Sequence, residues 1–235
     1  MKKNLIIIPG NPPAHFYYNQ WISELKISFS EVNFQYLAYQ KLDHNQAPSK
    51  QMEHTLKKLE RKLRELYTES KVILLGHSYG AYFAYELAKR CPDIVEKVLM
   101  IFPFFGRPKL TSKMVLLSAR YLKRYTQAIV QLQNLHGKSP WQYPPFKNIE
   151  SEELITALDH AQIESYLFKD QSQFRFQETQ AKVHLIYNPK DSWSPPKTTK
   201  KLRKHFHGIA TSAEHDFILK SSQRKIISEI LAPLI

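Results

Sequence analysis

One cysteine, six glycines and no long apolar run mark this 235-residue chain by what it lacks. With Cys91 alone, no disulfide can form within the chain, which fits a reducing compartment. The apolar run Leu5 to Ile8 ends at Pro9-Gly10. It is too short for the core of a secretory signal, and no other run could cross a bilayer. The expectation is a cytoplasmic protein, at most peripheral at membrane or lipid surfaces. The scarce glycines form no phosphate-cradling loop, and no cofactor and no metal are expected. Acidic residues are also in deficit: 34 Lys and Arg against 21 Asp and Glu leave +13. The excess is spread over Lys57, Lys58, Arg61, Lys62 and Arg64, over Arg120, Lys123 and Arg124, and over Lys197, Lys200, Lys201, Arg203 and Lys204. No nucleic-acid module accompanies it, so no nucleic acid is expected. Solvated helix faces account for most of these residues, with an anionic lipid surface as the functional alternative.

What is present is an alternation of apolar runs and amphipathic stretches. Strands are predicted at 5–8, 33–39, 72–75, 97–102, 183–187 and 208–212. Helices are predicted at 16–29, with Trp21, Ile22, Leu25 and Ile27 inward, and at 49–67. In the second, Met52, Leu56, Leu59, Leu63 and Leu66 recur at helical spacing, and Ser49 is the candidate cap. This pattern predicts an α/β fold, a mostly parallel sheet of about six strands with helices on both faces. The alternation stops between 103 and 179, where helical patterns continue over 111–135 and 151–167 without a strand. We read 1–102 and 180–235 as the core and 103–179 as a helical cap inserted over the carboxyl end of the sheet.

Two of the six glycines fall in Gly76-His77-Ser78-Tyr79-Gly80, after an apolar run and before a helical one. Gly-x-Ser-x-Gly in a strand–turn–helix setting holds a serine on a sharp turn, where the glycines remove Cβ atoms that would collide. The bland alternative is a helix-entry turn with Ser78 as its cap. A serine hydroxyl needs a base, and the base an orienting acid. In α/β-hydrolases these follow in the order Ser, Asp or Glu, His. Asp191 follows the fifth strand and His215 the sixth, which makes them the candidate acid and base. Asp93, Asp159 and Asp170, and His77, His205 and His207, are worse placed in that order. The amide of Tyr79 is one candidate oxyanion donor. The other comes from the loop after the first strand, where Pro12 and Pro13 have no amide hydrogen, leaving Gly10 and Asn11, with Asn11 preferred. Phe16, Tyr17, Phe104, Phe105 and Trp141 are candidates for an acyl pocket, and equally for ordinary core.

Four segments carry a family resemblance: Ile8-Pro9-Gly10-Asn11-Pro12 with Phe16-Tyr17, the Ser78 turn, Asp191-Ser192-Trp193-Ser194-Pro195, and His215-Asp216-Phe217. Together they resemble the lipid droplet-associated hydrolase family, a branch of the α/β-hydrolases, with Pro13 standing where that family usually has glycine. The resemblance implies a serine hydrolase acting on lipid esters, with some association with lipid surfaces. The same residues permit thioester cleavage or acyl transfer, and a scaffold that binds a lipid or protein partner without catalysis is the reading from another class.

Overall fold

The computed structural model describes residues 2–40, 42, 47–67, 71–105, 151–167, 179–191, 193–194 and 196–235. Six strands form one sheet: β1 (Lys3–Ile8), β2 (Val32–Tyr36), β3 (Val72–His77), β4 (Val95–Ile101), β5 (Lys182–Tyr187) and β6 (His207–Ala210). Their order is β2-β1-β3-β4-β5-β6, and every pairing is parallel. The helices are α1 (His15–Ser28), α2 (Pro48–Leu66), α3 (Tyr79–Arg90), α4 (Ser151–Leu167), α5 (Pro196–Leu202) and α6 (Ser221–Leu231).

The central strands are apolar at consecutive positions because both of their faces are covered. Leu5, Ile7, Ile73 and Leu75 point into a core shared with α1 and α6, around Trp21 and Phe217. Ile6, Ile8, Val72 and Leu74 point the other way, into a core shared with α2 and α3. Arg224 of α6 ties the first of these layers together. Its guanidinium donates to both Glu24 carboxylate oxygens on α1, at 2.9 and 2.6 Å.

From β1 the chain winds first to β2, then returns past β1 to β3. The loops after β1 and β3 therefore diverge and leave a crevice at the carboxyl end of the sheet. That crevice is where Gly10-Asn11 and Ser78 lie. Helix α4 reaches the same end, because its side chains and backbone meet Asn11 after β1, Gln40 after β2 and Tyr79 after β3.

Several local expectations are corrected. Strand β3 continues through Gly76 and His77, which pair with Met100 and Ile101 of β4, so the glycine does not end the strand. The cap position of α2 is Ala47, with Pro48 supplying a φ suited to the first turn; Ser49 does not cap it. Ile27 is 85% exposed and Leu66 52%; each sits in the last turn of its helix. The helix expected over 111–135, with Arg120, Lys123 and Arg124, lies outside the described residues, as do Trp141 and Asp170.

Candidate active site

Ser78 joins β3 to α3 with φ 52° and ψ −118°, a conformation that costs an L residue about 1–3 kcal/mol. The flanking glycines make the turn sterically possible. A Cβ on Gly76 would lie 2.5 Å from the Ala81 Cα, and one on Gly80 2.3 Å from the carbonyl oxygens of Ile8 and Pro9. Ser78 makes no side-chain cap to α3, which excludes the helix-entry reading. Its hydroxyl is instead 2.8 Å from His215 Nε2.

The other imidazole nitrogen of His215, Nδ1, is 2.8 Å from Asp191 Oδ2. A carboxylate there requires the proton on Nδ1, which leaves Nε2 as the acceptor facing the Ser78 hydroxyl. Burial pulls the Asp191 carboxyl up. The bond from His215, its charge, and the amides of Trp193 and Ser194 together outweigh burial and hold it below the usual carboxylate range. The Trp193 amide donates to Oδ1 at 2.8 Å, so both oxygens are engaged. The loops that carry acid and base are tied to each other as well: Asn188 Nδ2 donates to the Ala213 carbonyl at 2.8 Å. Neighbours of the alternatives explain their exclusion. Asp93 pairs with Arg64 at 3.0 Å on the surface, and Asp159 is buried within α4.

His77 is the last residue of β3 and borders the same cavity. Its Nε2 is 2.9 Å from the backbone carbonyl of His215, and its Nδ1 is 2.6 Å from the Tyr18 hydroxyl. The carbonyl fixes the tautomer: Nε2–H donates, and Nδ1 accepts from Tyr18. Burial, then the nearby His215, pull the His77 imidazole down to about 3, so it is neutral at ordinary pH. Tyr18 in turn accepts from the Gly10 amide at 2.8 Å. One chain of bonds thus runs from the loop after β1 to the backbone of His215. Tyr39 donates to the Gly10 carbonyl at 2.7 Å, clamping the same residue from the other side. Because the Gly10 amide is engaged by Tyr18, Gly10 does not serve as a candidate oxyanion donor. Asn11 is the remaining donor from that loop, and Tyr79 stands at the amino terminus of α3.

A cavity of about 720 Å³ adjoins these groups, walled in part by Asn11, Tyr18, Phe104, Glu164, Trp193 and Ile218. Of the aromatic candidates, Phe104 lines it. Phe16 is 44% exposed on α1, Tyr17 packs in the α1 core layer, and Phe105 packs against Tyr82 and Tyr85. These three are therefore surface and core rather than cavity wall. Sequence reasoning missed Tyr18, His160 and Glu164. A buried Tyr adjacent to the Phe16-Tyr17 signature was a usable signal for the first. For the other two, the helical pattern of 151–167 gave no hint of which face meets the site. Among the described residues, no group of His, Cys, Asp and Glu could hold a metal ion.

The model of the lipid-droplet associated hydrolase family matches residues 1–136. None of the curated proteins matches the chain. Among solved structures, a carboxylesterase of Nitrososphaera gargenis is 16% identical, with TM-score 0.63 over 99% of this chain and 90% of that one. The monoacylglycerol lipase of Paleococcus ferrophilus is 14% identical, with TM-score 0.56 over 98% and 93%. The RedJ thioesterase of Streptomyces coelicolor is 13% identical, with TM-score 0.62 over 100% and 91%. At such identities the structures speak for the fold, which is that of the α/β-hydrolases. With its amino-terminal 136 residues covered by the family model, this chain belongs to the lipid-droplet associated hydrolase family.

Proposed function

We propose that the protein hydrolyses carboxylic esters, and specifically lipid esters, through an acyl-enzyme on Ser78. The observation that carries the reading is the Ser78–His215–Asp191 alignment, 2.8 Å at each link, on a strained turn beside a cavity of about 720 Å³. His215 Nε2 takes the hydroxyl proton as Ser78 attacks the acyl carbonyl. Asp191 keeps the ring in the tautomer that can do so and balances the imidazolium. The amides of Asn11 and Tyr79 face the developing oxyanion, in place of water. His215 then protonates the departing alcohol, and water repeats the sequence on the ester of Ser78.

Membership of the family supports lipid esters as the substrate class, and the apolar side chains of Phe104, Trp193, Ile218 and Leu219 in the cavity wall support an acyl chain. The division into a core of 1–102 and 180–235 and a cap of 103–179 accords with α4 meeting the loops after β1, β2 and β3. A peripheral contact with anionic lipid is proposed on the net charge of +13. On α2 much of that charge is neutralised in place, with Lys57, Arg61 and Arg64 paired to Glu53, Glu65 and Glu60 one turn away. The residues around α5 are therefore the better surface.

A series of p-nitrophenyl and glycerol esters of increasing chain length tests the function. Turnover is expected to favour longer acyl chains and to fall by at least about a thousandfold in Ser78→Ala. Equal turnover by the two proteins would overturn the reading. Liposome sedimentation tests the surface: binding indifferent to anionic lipid would remove that part.

A further inference from the structure

Glu164 of α4 is only 4% exposed, yet it forms part of the cavity wall beside Ser78. Among the described residues the side chain that hydrogen-bonds it is Asn11. The Asn11 amide group is itself held by α4, because Nδ2 donates to the Ala157 carbonyl at 3.0 Å. Its Oδ1 is buried and meets no donor among the described residues. A carboxylate cannot supply one. A carboxylic acid can: it accepts from Nδ2–H and donates its own proton to Oδ1, making a two-bond acid–amide ring. An unmet buried acceptor costs about 1–3 kcal/mol, which is the drive for that arrangement.

We propose that Glu164 acts in its neutral form as a positioning residue, locking the Asn11 side chain to α4 and so fixing the loop whose Asn11 amide faces the oxyanion. The proposal rests on the ester-hydrolysis reading above. The surroundings favour the proton. Burial pushes the Glu164 carboxyl up to about 8, against a smaller opposing pull from Asn11. Tyr39 and Tyr79, which face it from the loop after β2 and from α3, are neutral phenols held well above their usual range by burial. His160, one turn earlier on α4, is neutral because burial pulls it down to about 4. Tyr18, His77, Asp191 and His215 border the same cavity, with Lys190, Glu214 and Asp216 at its rim. No cation contributes to holding a Glu164 charge among the described residues.

The test is the pH profile of ester turnover by the full chain, with Ser78→Ala as the blank. Wild-type kcat is expected to fall about tenfold between pH 7 and pH 9, as a group titrating near 8 loses its proton. Glu164→Gln can form an amide–amide ring at any pH. It should retain a third or more of the activity at pH 7 and lose the alkaline fall. Glu164→Ala, checked for folding by its melting curve, should lower kcat at least about tenfold with KM changed less than about threefold. An alkaline fall in Glu164→Gln equal to that of wild type would overturn the proposal, as would wild-type kcat in folded Glu164→Ala. A wild type with no Ser78-dependent turnover at any pH would instead sink the ester-hydrolysis reading, and this proposal with it.

Discussion

Replacing Ser78 by glycine should leave the protein more stable than replacing it by alanine. Both substitutions remove the hydroxyl that bonds His215 Nε2, so that loss cancels in the comparison. What differs is the backbone. Alanine keeps a Cβ at φ 52° and ψ −118°, a strained position worth about 1–3 kcal/mol. Glycine adopts this conformation freely, as it does at the first central position of a type II′ turn. Against this stands the extra freedom glycine gives the unfolded chain, about 0.4–1 kcal/mol. The net advantage of Ser78→Gly is about 1–2 kcal/mol. For a chain of this length that corresponds to melting about 2–8 °C higher. Differential scanning calorimetry of the two variants, side by side, reads it directly. If Ser78→Gly melts at or below Ser78→Ala, the turn is not strained and the reasoning from backbone geometry fails.

Asp191→Asn puts an amide opposite His215 Nδ1 and favours the wrong tautomer; kcat for ester hydrolysis should fall about a thousand- to ten-thousandfold, and a loss under tenfold would exclude the acid role. His77 and His160 have folded pKa values pulled below the unfolded 6.5, to about 3 and about 4, so the unfolded chain binds more protons as pH drops. Their effect on stability is absent above pH 6.5 and grows as pH falls towards 4. Urea unfolding should show about 2 kcal/mol less stability at pH 5 than at pH 6 on their account, and His77→Gln should roughly halve that slope. Tyr18→Phe strands the Gly10 amide and His77 Nδ1 together, which should cost about 2–4 kcal/mol and lower kcat more than it raises KM; an unchanged melting temperature would show that the bond chain carries no load.

Much of the sheet could be read from the sequence because its strands are short apolar runs punctuated by Pro, Gly and polar residues. Leu5 to Ile8 and Val183 to Tyr187 contrast sharply with the helical spacing of Leu56, Leu59 and Leu63. The elbow was legible for a different reason: in a chain with six glycines, two of them flanking a serine at this spacing carry weight. Asp191 and His215 followed from chain order alone, and the 2.8 Å distances bring them to Ser78. What could not be read was set by packing across the chain. No local pattern says that the Gly10 amide goes to Tyr18, since that depends on how α1 lies on the sheet. Glu164 looks like any helix-surface acid in sequence. Its burial appears only when α4 is laid against the loop that holds Asn11.

Labelling of the folded chain with a fluorophosphonate, followed by peptide mass mapping, tests the central claim most directly. The adduct should sit on Ser78, vanish in Ser78→Ala and form far more slowly in His215→Ala, because the hydroxyl then lacks its base. Folded protein that takes up no label, or takes it up at another residue, would contradict a nucleophile built at the turn between β3 and α3.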